Sequence, residues 1–119
     1  MVIEPLGSYG VGKGIVNVCG LVKAKEFEAS SIGWWADFVF DDNYKLTSLF
    51  ELENYIEENH HLPGVPSTSE VKEKGIKLAE MNAILLQKIE ELTLYVIELK
   101  KQFDTQQIEF SKLQNQISK

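Results

Sequence analysis

The chain has 119 residues, a formal net charge of −6 and a single cysteine. That length fits one small domain or a compact unit carrying an extension. The acidic balance lacks the positive field that gathers phosphate backbones or anionic headgroups, which argues against nucleic-acid and membrane-surface roles.

Residues 1–14 read as a loop, because Gly7, Gly10, Gly12 and Gly14 crowd a short segment. Met1–Leu6 shows no basic start and no long apolar run, so no signal peptide is expected. The chain nevertheless reads like the tail of something longer. The β-branched run Ile15-Val16-Asn17-Val18-Cys19, then Gly20, then Leu21 to Phe27, predicts two short strands. Two strands alone are marginal in water and need a partner surface. Lone Cys19 cannot staple the fold from within, and in its run it reads as a small apolar residue.

Ala29 to Gly33 reads as a linker, and Trp34 to Phe40 as an aromatic strand. Asp41-Asp42-Asn43 makes a turn. Ser48 and Glu51 are spaced as a capping box and open a helix to about Asn59, with Leu49, Leu52, Tyr55 and Ile56 on one face. Pro63, Gly64 and Pro66 follow as a stiff turn. Ser67 and Glu70 repeat the box, and Gly75 stops the short helix they open.

A last helix is predicted from near Leu78 to the end. From Leu85 its apolar residues alternate at spacings of four and three. Ile89, Val96, Phe103, Phe110 and Ile117 fall at heptad position a; Leu85, Leu92, Leu99, Gln106 and Leu113 fall at d. Nearly five heptads in one register predict a coiled-coil seam. Over residues 100–119 too little chain remains to cover so long a stripe. No stretch approaches the ~20 apolar residues of a membrane span, so no membrane insertion is expected. Residues 84–97 also carry apolar side chains off the seam (Ile84, Leu86, Leu94, Tyr95, Ile97), which predicts that 78–99 is packed by the elements before it while 100–119 projects as a bare coil. β-branched a residues with leucine at d lean toward two strands, whereas Phe103 and Phe110 suit a wider core. Spacing alone does not choose between two and three.

Motifs with chemical potential are few. Gly7 to Gly14 is one residue short of a phosphate loop, and Gly14 stands where the magnesium-holding hydroxyl would be. A strand-like run follows it where a helix should open, so a plain glycine loop is expected. His60-His61 sits where a helix dipole favours histidine, although one histidine per chain of a three-fold assembly could make an axial metal site. Asp37, Asp41 and Asp42 match no calcium loop and read as solvated acids. Trp34 and Trp35 fit core packing or, alternatively, a sugar-stacking platform. No nucleophile elbow occurs. No catalytic residue, metal site or cofactor is predicted.

Several segments together carry a family resemblance: Trp35-Ala36-Asp37-Phe38-Val39-Phe40, Tyr44-Lys45-Leu46, Leu49-x-x-Leu52-Glu53-x-Tyr55-Ile56, His61-Leu62-Pro63-Gly64-Val65-Pro66-Ser67, Glu80-Met81-Asn82, and Leu85-Leu86-x-Lys88-Ile89-Glu90-Glu91-Leu92-Thr93-Leu94-Tyr95. In order and spacing these resemble the C-terminal region of tail-fibre-like bacterial surface and phage proteins, over roughly residues 15–100. Ile15 to Phe27 resembles a last stalk repeat. The plan is also similar to the intramolecular chaperone domain of endosialidase-type tail spikes. The resemblance implies a β stalk, a small helical cap and a terminal helical coil shared by three chains. It implies a parallel homotrimer that aligns those chains, with an upstream β stalk or a host-surface glycan as further partners and a virion tail or cell surface as location. That chaperone family cleaves itself before a serine followed by aspartate. Here Ala36 precedes Asp37, and no Ser-Asp pair occurs in the chain, which argues against self-cleavage.

The expectation is therefore an α+β chain in three parts: stalk-end strands over 1–31, an aromatic strand with two short helices as a cap over 32–77, and a coiled-coil helix over 78–119. Its expected function is non-enzymatic assembly of three chains of a fibre protein. The alternatives are an autoproteolytic chaperone and a glycan-binding adhesin tip.

Overall fold

The computed structural model describes residues 14–30 and 32–118. Gly7, Gly10 and Gly12 of the glycine loop lie outside them, as does Ser31. In chain order the elements are a 3-10 helix (Ala36–Phe40), helix α1 (Leu49–Asn59), helix α2 (Thr68–Lys74) and helix α3 (Leu78–Ile117).

The expected α+β class is wrong: no strand occurs among the described residues. Residues 14–30 run without regular structure and are exposed throughout, Ile15, Leu21 and Phe27 included. β-branched composition favours extended backbone, but a strand exists only where a second one accepts its hydrogen bonds. The expected aromatic strand fails for a different reason. Ala36 and Val39 are three residues apart, one turn of a 3-10 helix, and both are fully buried against α3. Burial at that spacing overrides the β preference of the aromatic residues. Trp34, Phe38 and Tyr44 then stack obliquely, with ring centroids 6.1 and 5.8 Å apart.

The short helices begin and end on local chemistry. Ser48 Oγ accepts the Glu51 N–H at 3.2 Å to start α1. At the other end His60 takes a left-handed conformation (φ 58°), and its N–H bonds the Ile56 carbonyl at 2.8 Å. Leu62-Pro63-Gly64-Val65 closes a tight turn with a 3.1 Å bond from Val65 N–H to Leu62 O. Gly64 supplies the positive φ (77°) that its third position requires. At α2 the capping box is complete: Ser67 Oγ accepts from Glu70 N–H, and Glu70 Oε1 accepts from Ser67 N–H. Gly75, at φ 69°, ends it.

Helix α3 has 40 residues, about 60 Å at 1.5 Å per residue, within a molecule 82 Å along its longest axis. Among the described residues, the apolar residues fully withdrawn from water are Ala36, Val39 and Ala83. Such a core is far too small to hold a helix of this length by packing within one chain.

Candidate functional site

The faces of α3 divide cleanly. Continuing the heptad, Ala83 and Glu90 fall at b, Ile84 and Glu91 at c, Gln87 and Leu94 at f, and Lys88 and Tyr95 at g. These positions form the back of the helix, away from a and d, and each is buried or half-buried. The cap lies on that back face. The seam residues point the other way and are open to water along their whole length, from 45% exposure at Leu85 to 83% at Ile117, with Gln106 also exposed. The expectation that 78–99 would be packed on several sides is thus only half met, because the cap covers the back and leaves the seam bare.

Two polar clusters fix the cap. In one, the Tyr44 hydroxyl donates to Glu91 Oε1, and Gln87 Nε2 donates to both the Tyr44 oxygen (3.2 Å) and Glu91 Oε1 (3.3 Å). Lys88 Nζ pairs with the other Glu91 oxygen at 3.2 Å. Tyr95 donates to the Thr47 carbonyl just before α1. Burial pushes both phenols above their ordinary value, and the Glu91 carboxylate adds to the shift.

The second cluster is Glu90 with Asp37. Glu90 is 7% exposed, and its Oε2 is buried without a hydrogen-bond partner. Burial, and then the neighbouring Asp37 carboxylate, hold the Glu90 carboxyl above its usual range. In the sequence Glu90 looks like any solvated helix position. The signal that finds it is its seven-residue spacing from Ala83, a small residue buried on the same face of α3.

The other candidates are dispersed. Trp34 and Trp35 flank the start of the 3-10 helix at 38% and 51% exposure, so neither is a core residue. His61 is held within its own chain, its ring edge-on to Tyr55 at 5.7 Å and Nδ1 2.9 Å from the Leu62 carbonyl. No group of three or more His, Cys, Asp or Glu among the described residues is placed to share a metal ion. Asp41 accepts a turn bond from Tyr44 N–H through its carbonyl at 3.0 Å, and Asp42 is exposed. Cys19 is exposed rather than buried in a strand. No described helix is long and apolar enough to cross a membrane.

The largest functional feature is therefore a surface. It consists of the bare seam and, beside it, an apolar groove of about 490 Å³ between the seam and α1. Comparison with protein-family models, curated proteins and solved structures gave no match to this chain.

Proposed function

We propose that the chain is a non-enzymatic self-assembly module: a parallel homotrimer in which three α3 helices pair along Leu85–Ile117 and the caps sit outside the coil. The observation that carries this reading is the seam itself, nearly five heptads of apolar residues in one register with no intrachain cover. Monomeric proteins rarely leave so long an apolar stripe in water. Nine of its ten residues are apolar. Burying the half-exposed side chains gives on the order of 1 kcal/mol each, which over the nine apolar residues of each chain is of the same order as an association cost of about 4–15 kcal/mol. The resemblance to tail-fibre-like C-terminal regions supports three strands and a role in aligning and capping the chains of a fibre. A coil that closes locally brings the three chains together before slower non-local pairing begins.

Orientation and association are tested together by Ile117→Cys, at the last a position of the seam, in a Cys19→Ser background. A parallel coil brings the introduced thiols together and gives interchain disulfides in high yield. An antiparallel pair along the same seam would hold them about 50 Å apart, and absence of the bridge in an oligomeric sample contradicts the parallel arrangement.

A second reading, a glycan-binding tip, draws support from the half-exposed indoles of Trp34 and Trp35 beside Phe38. Its test is quenching or shift of tryptophan fluorescence across a panel of sugars. An unresponsive spectrum rejects it.

A further inference from the structure

We infer that the groove between α1 and the seam is the seat of a neighbouring copy's α3, so that the cap of each chain grips the helix of the next. This rests on the self-assembly reading and adds to it, because heptad positions alone confine the interface to α3.

The floor of the groove is the seam from Leu85 to Leu99, and its far wall is Leu49, Leu52, Leu62 and Pro63. Any helix that pairs with this part of the seam must therefore lie beside that wall. The floor spans about 21 Å of helix, and the wall beside it is built by the first turn of α1, through Leu49 and Leu52, together with Leu62 and Pro63 of the turn that follows α1. Leu49 and Leu62 stay substantially exposed in the single chain, and it is the 3-10 helix, not α1, that packs closely on α3. An apolar wall beside an apolar floor, with about 490 Å³ of space between them, is an open groove rather than a closed core.

The occupant is identified by the side of the helix on which the wall stands. Lys88 and Tyr95, both at g, line the groove, so α1 stands along the g edge of its own helix. In a parallel coil the g edge of one helix faces the e edge of the next. The e edge of this chain carries Leu86 and Thr93, with Ile97 just beyond at b. Ile97 is an apolar residue off the seam that its own cap leaves exposed. A wall of Leu49 and Leu62 from the adjacent copy would cover it. The groove, the unexplained Ile97 and the handedness of g-to-e contact thus fit one arrangement, in which each cap bridges two helices around the ring.

The test uses the full chain. In a Cys19→Ser background, Leu62→Cys and Thr93→Cys place one thiol on the wall and one on the e edge. Within one chain these lie on opposite sides of α3, whereas across the inferred contact they meet. Mild oxidation should give chains linked into covalent dimers and closed trimers on a non-reducing gel. Separately, Leu49→Ala with Leu62→Ala should weaken self-association roughly tenfold or more, with the near-ultraviolet signal of the docked cap retained. Failure of the bridge in a sample that is oligomeric, or wild-type affinity in the alanine variant, overturns the inference and leaves the self-assembly reading standing. A wild-type chain that is monomeric in the same measurements fails the self-assembly reading itself.

Discussion

The two halves of α3 share one seam and differ in everything behind it. Over residues 78–99 the back of the helix is covered by the cap, through the packing of the 3-10 helix on α3, where Ala36, Val39 and Ala83 are buried, and through the Tyr44–Glu91 and Glu90–Asp37 clusters. Beyond Lys100 every described side chain is exposed, and the visible support is local: the Lys100–Asp104 ion pair at 2.7 Å, and hydroxyls of Thr105 and Ser111 folded back on helix carbonyls. Exposed pairs of that kind contribute about 0.2–1 kcal/mol. The contrast separates two tasks. The back face holds the cap to its own chain, while the seam is left bare, and the self-assembly proposal gives it to another chain. On that proposal the distal half gains its stability from pairing, since a bare helix of this kind is marginal in water.

The largest break in this contrast comes from the seam. Val96→Asp together with Phe103→Asp should abolish self-association at micromolar concentration, since each charge buried in a coil costs about 3–5 kcal/mol. Circular dichroism at 222 nm should fall as the distal half melts. Retained mass with full helicity contradicts the seam assignment. Ala83→Leu strikes the other face. Overpacking there costs about 1–3 kcal/mol and should undock the 3-10 helix, seen as a red shift of tryptophan emission, while the oligomer persists. Gln106→Leu acts on the bare half alone. Replacing the polar d layer should raise the melting temperature of the assembly, by about 1 kcal/mol of stability, and broaden the distribution of oligomeric states that a polar layer narrows.

Protonation offers a gentler probe of the docked half. Because the Glu90 carboxyl is held above its ordinary value in the folded chain, the folded state binds its proton more tightly than the unfolded one. That contribution to stability is full below the unfolded value, near 4.5, and is lost as the pH rises through the folded value. Cap docking should therefore weaken as the pH rises through that window. Glu90→Gln should remove the dependence and strengthen docking at neutral pH, read from thermal melts followed at 280 nm. The smallest effect is expected at His60. Its left-handed backbone is relieved by His60→Gly, partly offset by glycine's greater freedom when unfolded, for a net gain of about 0.5 kcal/mol.

What the sequence made legible was what neighbouring residues decide. Ser48, Ser67, Pro63-Gly64 and Gly75 mark helix ends through bonds to residues within four positions, and α3 from Leu78 follows from a long periodic pattern. The strands expected over 15–27 and 34–40 do not form, because β propensity describes a surface waiting for a partner. Ala36 and Val39 instead found α3, far along the chain. The use of two opposite faces of one helix was hidden for the same reason. Glu90 and Glu91 look like solvent-facing heptad positions, and only the fold brings Asp37 and Tyr44 to them.

The central claim is that the exposed seam is an interface between copies of this chain. Sedimentation equilibrium of the intact protein at micromolar concentration tests it most directly. The expected result is a single species of three times the 13.5 kDa chain mass, dissociating only on strong dilution together with loss of helix signal. A species of one chain mass, fully helical and unchanged across that range, would contradict it.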